Sequence, residues 1–170
     1  MRPPPRSTPR LLACGLAAAG VVVLLAALVP ADRPEQAASH DPSPPDRTRA
    51  LAVLRSWDSA RAAAWRHGDV RALRRLYVAG SPAGRGDVAL LRAYADRGLR
   101  VAGMRMQVAS VDVEAITGDR IALRVTDRLV GATVTRRDRG LRLLQDRWSR
   151  RRIVMVRMSD GWRVATVTPG

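Results

Sequence analysis

Met104-Arg105-Met106-Gln107-Val108-Ala109-Ser110-Val111-Asp112-Val113-Glu114-Ala115 alternates apolar and polar side chains with a period of two, the signature of a β-strand with one buried face. Its phase slips once. Met104, Met106 and Val108 occupy one parity, whereas Val111, Val113 and Ala115 occupy the other. A period of two changes parity only where a residue is inserted, so a β-bulge is expected near Ala109-Ser110. Thr117-Gly118-Asp119 reads as a turn, after which Ile121, Leu123, Val125, Asp127 and Leu129 draw the inward face of the next strand. Pairing across that turn sets Ile116 against Arg120, Val113 against Leu123 and Asp112 against Arg124. The last pair places opposite charges side by side on the outer face.

Upstream the period is helical. Asp46 follows two prolines and is the expected N-cap of a first helix. Its apolar stripe is Ala50, Val53, Leu54, Trp57, Ala60 and Ala64, with Arg55, Asp58, Arg61 and Arg66 on the other face or its edges, and Gly68 ends it. Asp69 caps a short second helix with Val70, Leu73, Leu76 and Tyr77 inward. Ala79 to Gly86 reads as a loop without a phosphate-cradle motif. Asp87 is the expected cap of a third helix, with Val88, Leu91, Tyr94 and Ala95 inward and Gly98 as its stop. Downstream, a strand is expected over Ala132 to Thr135, then a basic insertion from Arg136 to Arg152, then strands Ile153 to Met158 and Trp162 to Thr168 joined by Ser159-Asp160-Gly161.

Leu11 to Val29 is an uncharged apolar run, and roughly 20 such residues at about 1.5 Å each match a ~30 Å bilayer core. Arg2, Arg6 and Arg10 precede it, while Asp32, Glu35, Asp41 and Asp46 follow, so the positive-inside rule puts residues 1–10 in the cytoplasm and the domain outside. As a signal sequence the run would be cut after Ala31. Its length exceeds the usual core of such signals, which favours an uncleaved single-pass anchor. Residues 30–46 form a Pro-rich linker, leaving 47–169 as one domain.

The net charge is +15, and all thirty basic residues are Arg; Lys, Asn and Phe are absent. That pattern is the mark of a GC-rich genome, so nucleic-acid binding is not inferred from charge alone, and no recognised motif supports it. Cys14 is the sole cysteine and lies in the apolar run. No disulfide, Cys-His pair or Ser-His-Asp set can be built. His40 and His67 stand apart from any ligand cluster, so neither a metal nor another cofactor is expected.

Three helices followed by a bulged antiparallel sheet, the Gly68-Asp69-Val70 break and the closing Asp160-Gly161-Trp162-Arg163-Val164 strand resemble the nuclear-transport-factor-2-like cone fold. Arg97-Gly98-Leu99-Arg100-Val101 and Val125-Thr126-Asp127-Arg128-Leu129 resemble segments of uncharacterised actinobacterial envelope proteins. An anchor followed by such a domain is similar to the mammalian-cell-entry-associated membrane proteins. The resemblance implies an α+β class: a transmembrane helix, then three helices on a curved sheet forming a cone-shaped cavity. Trp57, Tyr77, Tyr94, Met104, Met106, Asp127 and Trp162 are the candidates to line it. Asp127, inward between Val125 and Leu129, is the candidate general base; pairing with an arginine or capping a strand-end backbone group is the favoured alternative.

Arg136, Arg137, Arg139, Arg150, Arg151 and Arg152 form a candidate patch for an anionic envelope polymer, a lipid or an acidic partner in an envelope complex. The function expected is therefore non-catalytic binding or scaffolding at the membrane through residues 11–29. The runner-up is a small-ligand binder or isomerase-like enzyme using the cavity.

Overall fold

The computed structural model describes residues 42–136, 139–143 and 145–170, with the backbone alone for residue 139. The apolar run 11–29, the basic tail, most of the linker, His40 and Arg137 lie outside the described residues. Among the described residues no helix is long and apolar enough to cross a membrane.

Helix α1 spans Pro44–His67 and begins earlier than the sequence suggested. Ser43, not Asp46, is its cap: the Ser43 Oγ accepts from the Asp46 amide and donates to the Asp46 carboxylate at 2.7 Å. Pro44 and Pro45 fill the first helical positions, where a missing N–H costs nothing. Ala50, Leu54, Trp57 and Ala64 are buried as expected, but Ala60 is exposed and Trp65 is buried. The helical period explains the exchange, since Arg61 rather than Ala60 falls one turn beyond Trp57. Gly68 closes the helix at φ 67°, with the Asp69 amide reaching back to the Ala64 carbonyl at 2.9 Å.

Helix α2, Val70–Arg75, is capped by Asp69, whose Oδ1 accepts from the Ala72 amide at 2.9 Å. Helix α3 spans Pro82–Asp96, so five of the eight residues of the expected loop are helix. Ser81 is its cap, and Asp87, expected to be the cap, sits inside it. Gly84 lies in the helix because α3 presses on Tyr77: a Cβ there would fall 2.6 Å from the Tyr77 Cβ.

The strands are β1 Arg100–Ala102, β2 Arg105–Ile116, β3 Arg120–Val130, β4 Thr133–Arg136, β5 Arg139–Arg142, β6 Ser149–Met158 and β7 Gly161–Pro169. They form two antiparallel sheets, β2-β3-β6-β7 and β1-β4-β5. The predicted bulge is present between Val108 and Ser110, and the pairs Val113–Leu123 and Asp112–Arg124 hold. Ile116, however, faces Ile121 rather than Arg120, because a second irregularity between Val113 and Ala115 advances the register by one. Across the outer face, Arg124 bonds not to Asp112 but to Glu114, at 2.6 Å.

The expected basic insertion is partly sheet. β4 and β5 make a hairpin, and β6 starts at Ser149, four residues before the predicted strand. Ile121, Leu123 and Val125 of β3, with Ile153 and Met155 of β6 and Val164 of β7, meet Ala50, Leu54 and Trp57 of α1 in one core. A backbone bridge joins the helical layer to the sheet, Val164 donating to the Leu76 carbonyl and Val78 to the Val164 carbonyl, each at 2.9 Å.

Gly84→Ala should lower stability by about 1–3 kcal/mol through overpacking on Tyr77. Gly86→Ala, in the same helix with nothing within 4 Å of the new methyl, should raise it by roughly 0.5–1 kcal/mol. Urea unfolding of the two variants checks the pair. A second test concerns Asp87, which accepts from Arg61, Trp65 and Tyr77. Asp87→Ala should cost on the order of 3–5 kcal/mol, because it strands a largely buried guanidinium; a loss below about 1 kcal/mol would contradict that account.

Candidate functional site

The seven cavity candidates do not converge. Ser149 of β6 pairs with Asp127, whereas Trp162 pairs with Arg157 at the other end of that strand. Eight residues of strand separate them, roughly 26 Å. Trp57 is buried, donates Nε1 to the Leu76 carbonyl at 3.0 Å and meets Tyr77 edge to face at 5.6 Å. Tyr94 packs edge-on against Trp65 with the Arg97 guanidinium over its ring. Trp57 and Tyr77 are core, and Tyr94 is half-buried against it.

Asp127 is where strand parity put it, 2% exposed on the inner face of β3. Its carboxylate is held by Arg151, and Ser149 donates weakly to its backbone and side-chain oxygens at 3.3 and 3.5 Å. The pairing alternative raised from the sequence is thus the one realised. Arg151 is no member of an outward patch: alternation along β6 turns it inward while Arg150 and Arg152 point out. Arg152 bonds instead to Glu114, at 2.6 Å. Arg136 is exposed at the end of β4, in the other sheet from Arg150 and Arg152; Arg137 and the Arg139 side chain lie outside what the structure describes.

Asp58 completes the inner group. Burial raises its carboxyl from 3.8 to about 6, against the opposing charges of Arg151 and then Arg61, with Asp127 adding to the rise. The sequence reading placed Asp58 on the far face of α1 or its edge. Its position one turn beyond Leu54 and three residues before Arg61 was the available signal. One arginine thus faces two carboxyls, and the Arg151 Nε is buried with no hydrogen-bond partner. Near this end of the sheet Met106 and Leu129 face each other half-buried, and Val108, opposite Asp127, is exposed. Such a group can hold a polar ligand or exchange a proton near pH 6. Among the described residues, no His, Cys, Asp and Glu cluster could hold a metal.

The outer face of the sheet is different in character. Arg120, Arg124 and Arg128 of β3 share its parity with Arg150 and Arg152 of β6, and the register sets Arg124 beside Arg152 and Thr126 beside Arg150. Glu114 bonds both Arg124 and Arg152. Arg128 donates to Gln107 and stacks on Trp148 at 4.2 Å. The five arginines are therefore spread along the outer face of β3 and β6, with Glu114 bonding Arg124 and Arg152 and Asp112 opposite Arg124 in the register. No contiguous run of sequence spells this face, because its arginines come from two strands that only the register brings side by side.

The chain is similar in structure to the intermembrane space region of the chloroplast protein ARC6, at 15% identity over 73% of this chain and 95% of that one, with a TM-score of 0.54. It is also similar to Aln2 from a Streptomyces species, at 18% identity over 75% and 90%, with a TM-score of 0.49. A further similarity is to a protein of the NTF2-like family from Streptomyces avermitilis for which dehydratase activity has been proposed, at 20% identity over 72% and 98%, with a TM-score of 0.45. No family model and no curated protein matches the chain. The likeness to the ARC6 region is one of fold.

The Asp58 carboxyl sets a pH dependence. With a folded value near 6 and an ordinary value of 3.8, the folded chain binds the proton more tightly than the unfolded one. Stability from this group is greatest below pH 4, falls as pH rises through that window, and is fully lost above about 6. Asp58→Asn should flatten the window and stabilise the protein at pH 8 by on the order of 2–3 kcal/mol. Unfolding midpoints measured from pH 4 to 8 test this; a variant profile with the wild-type slope would sink it.

Proposed function

We propose that the described region is an NTF2-like cone-fold domain with a non-catalytic binding or scaffolding role in an actinobacterial-type cell envelope, held outside the membrane by residues 11–29. The order of three helices before a bulged antiparallel sheet supports the fold assignment. The observation that carries the functional reading is the outer sheet face, where Arg120, Arg124, Arg128, Arg150 and Arg152 outnumber the acids beside them. A basic surface of this kind attracts anionic polymers and lipid head groups. Tethering would make weak contacts sufficient. The inward carboxylate Asp127 is already engaged by Arg151, which fits a structural role better than that of a free base.

A second reading keeps one specific observation. Asp58, half-buried and titrating near 6 beside Arg151, could serve a small-ligand binder or isomerase-like enzyme at the Asp127 end of the sheet. Turnover lost in Asp58→Asn while the fold persists would favour it.

The binding reading is tested with full-length protein in phosphatidylcholine nanodiscs and purified teichoic acid. Arg120→Glu with Arg150→Glu should weaken capture by roughly tenfold or more and reduce its sensitivity to salt. Unchanged capture at low salt would refute the assigned face.

A further inference from the structure

A groove of about 440 Å³ runs along the helical layer, between the end of α2, residues 77–81 and the first three turns of α3. Tyr77, Val78 and Val88 give it an apolar floor, and Arg74, Arg85 and Arg92 stand around it. No acidic residue lines it. Arg85 and Arg92 project from one face of α3, seven residues and about 10 Å apart, while Arg74 comes from α2. Arg85 donates to the Gly80 carbonyl, which holds its side chain at the start of α3. The side chains of Arg74 and Arg92 have no ion pair or hydrogen bond among the described residues. This differs from the outer sheet face, where Glu114 neutralises part of the charge.

The groove also has a built floor. Gly84 lets α3 close on Tyr77, and the Tyr77 hydroxyl is fixed to Asp87 at 2.8 Å, so the ring cannot swing out without breaking that bond. The volume falls within the range of about 300–1,000 Å³ usual for small-molecule sites. A simple inorganic anion would use the arginines and leave the floor wet. A neutral apolar molecule would cover the floor and leave the guanidiniums unused.

We propose that this groove binds a monocarboxylate with an apolar body, the carboxylate meeting Arg74 and Arg92 and the body lying on Val78 and Val88. Guanidinium groups suit this head because they grip a carboxylate through paired N–H donors. The site lies on the helical layer rather than on the outer sheet face, so this proposal and the polyanion reading stand or fall separately.

The test uses full-length protein in phosphatidylcholine nanodiscs, with empty discs as reference, and 4-phenylbutyrate as the probe in isothermal titration. Binding should be measurable below about 10 mM, and both 4-phenylbutanamide and acetate should bind at least roughly tenfold more weakly, since each keeps only half of the chemistry. Arg74→Gln with Arg92→Gln should weaken phenylbutyrate at least roughly tenfold with an unchanged circular dichroism spectrum, while Arg120→Gln with Arg150→Gln leaves it intact. Equal affinity for the amide, full affinity in the Arg74/Arg92 variant, loss in the Arg120/Arg150 variant, or no binding at about 10 mM each overturns the proposal. The comparison of the three ligands on the wild-type chain decides it even if the groove variant misfolds.

Discussion

The Asp87 carboxylate is the constraint on which the helical layer depends. It accepts from Arg61 Nε and Nη2 at 2.7 and 2.6 Å, from Trp65 Nε1 at 3.1 Å and from the Tyr77 hydroxyl at 2.8 Å. Three segments far apart in sequence are thereby fixed to one point: α1, the chain after α2, and α3. Burying a carboxylate and a guanidinium together is costly unless the donors and acceptors are matched. Here each carboxylate oxygen accepts two hydrogen bonds. Burial works against the charge on Arg61, but the bonds and charge of Asp87 outweigh it and hold Arg61 above its ordinary value. Tyr77 is pushed upward by burial and by the charge of Asp87, so it remains a neutral donor. Position then passes to the sheet, because Leu76 and Val78, flanking Tyr77, bond to Val164 of β7.

The sheet has a counterpart in Asp127 and Arg151, and the two nodes differ in one respect. Asp87 has donors enough for both oxygens, whereas Arg151 must answer two carboxyls, Asp127 and Asp58. Burial raises the Asp58 carboxyl, the charges of Arg151 and Arg61 only partly oppose the rise, and the charge of Asp127 adds to it. Asp127 holds the direct ion pair, and Asp58 is left to bind a proton near pH 6. The helical layer is therefore locked by its buried charge, while the sheet side retains one group whose state changes with the solvent.

How much of this could be read from the residues follows from how local each signal is. Strand parity is local, so the bulge at Val108–Ser110, the Asp127 position and the Val113–Leu123 register were all legible. The second irregularity was not, because Ala115 and Ile116 are both apolar and either could take the inward place. The start of α3 was hidden for a different reason. Gly84 and Gly86 look like loop residues in one dimension, and the explanation for Gly84 is a tyrosine packed against it. Asp46 and Asp87 both carried the chemistry of a cap, but the cap belonged to the serine before each helix. Arg61 and Asp58 were hidden by the assumption that charge marks the solvent face. Arg151 was legible in principle, since extending the alternation back from Ile153 turns it inward.

That last residue bears on how a basic composition should be read. Compositional pressure toward arginine acts alike along the chain and cannot by itself tell Arg150 from Arg151 from Arg152. The strand does so at once: alternate residues leave on opposite faces, so Arg151 turns to the inner face, partly buried, and meets an acid there, while its neighbours join the outer surface. A buried arginine without a carboxylate would be expelled by its desolvation cost, so Asp127 is the condition on which Arg151 can be tolerated there. Outside, no such condition operates, and five arginines collect on a face that offers them two acids. The net charge therefore says little about function, whereas the face on which each charge falls says a good deal. An anionic polymer held on that outer face would meet the spacing that the β3–β6 register imposes on those side chains.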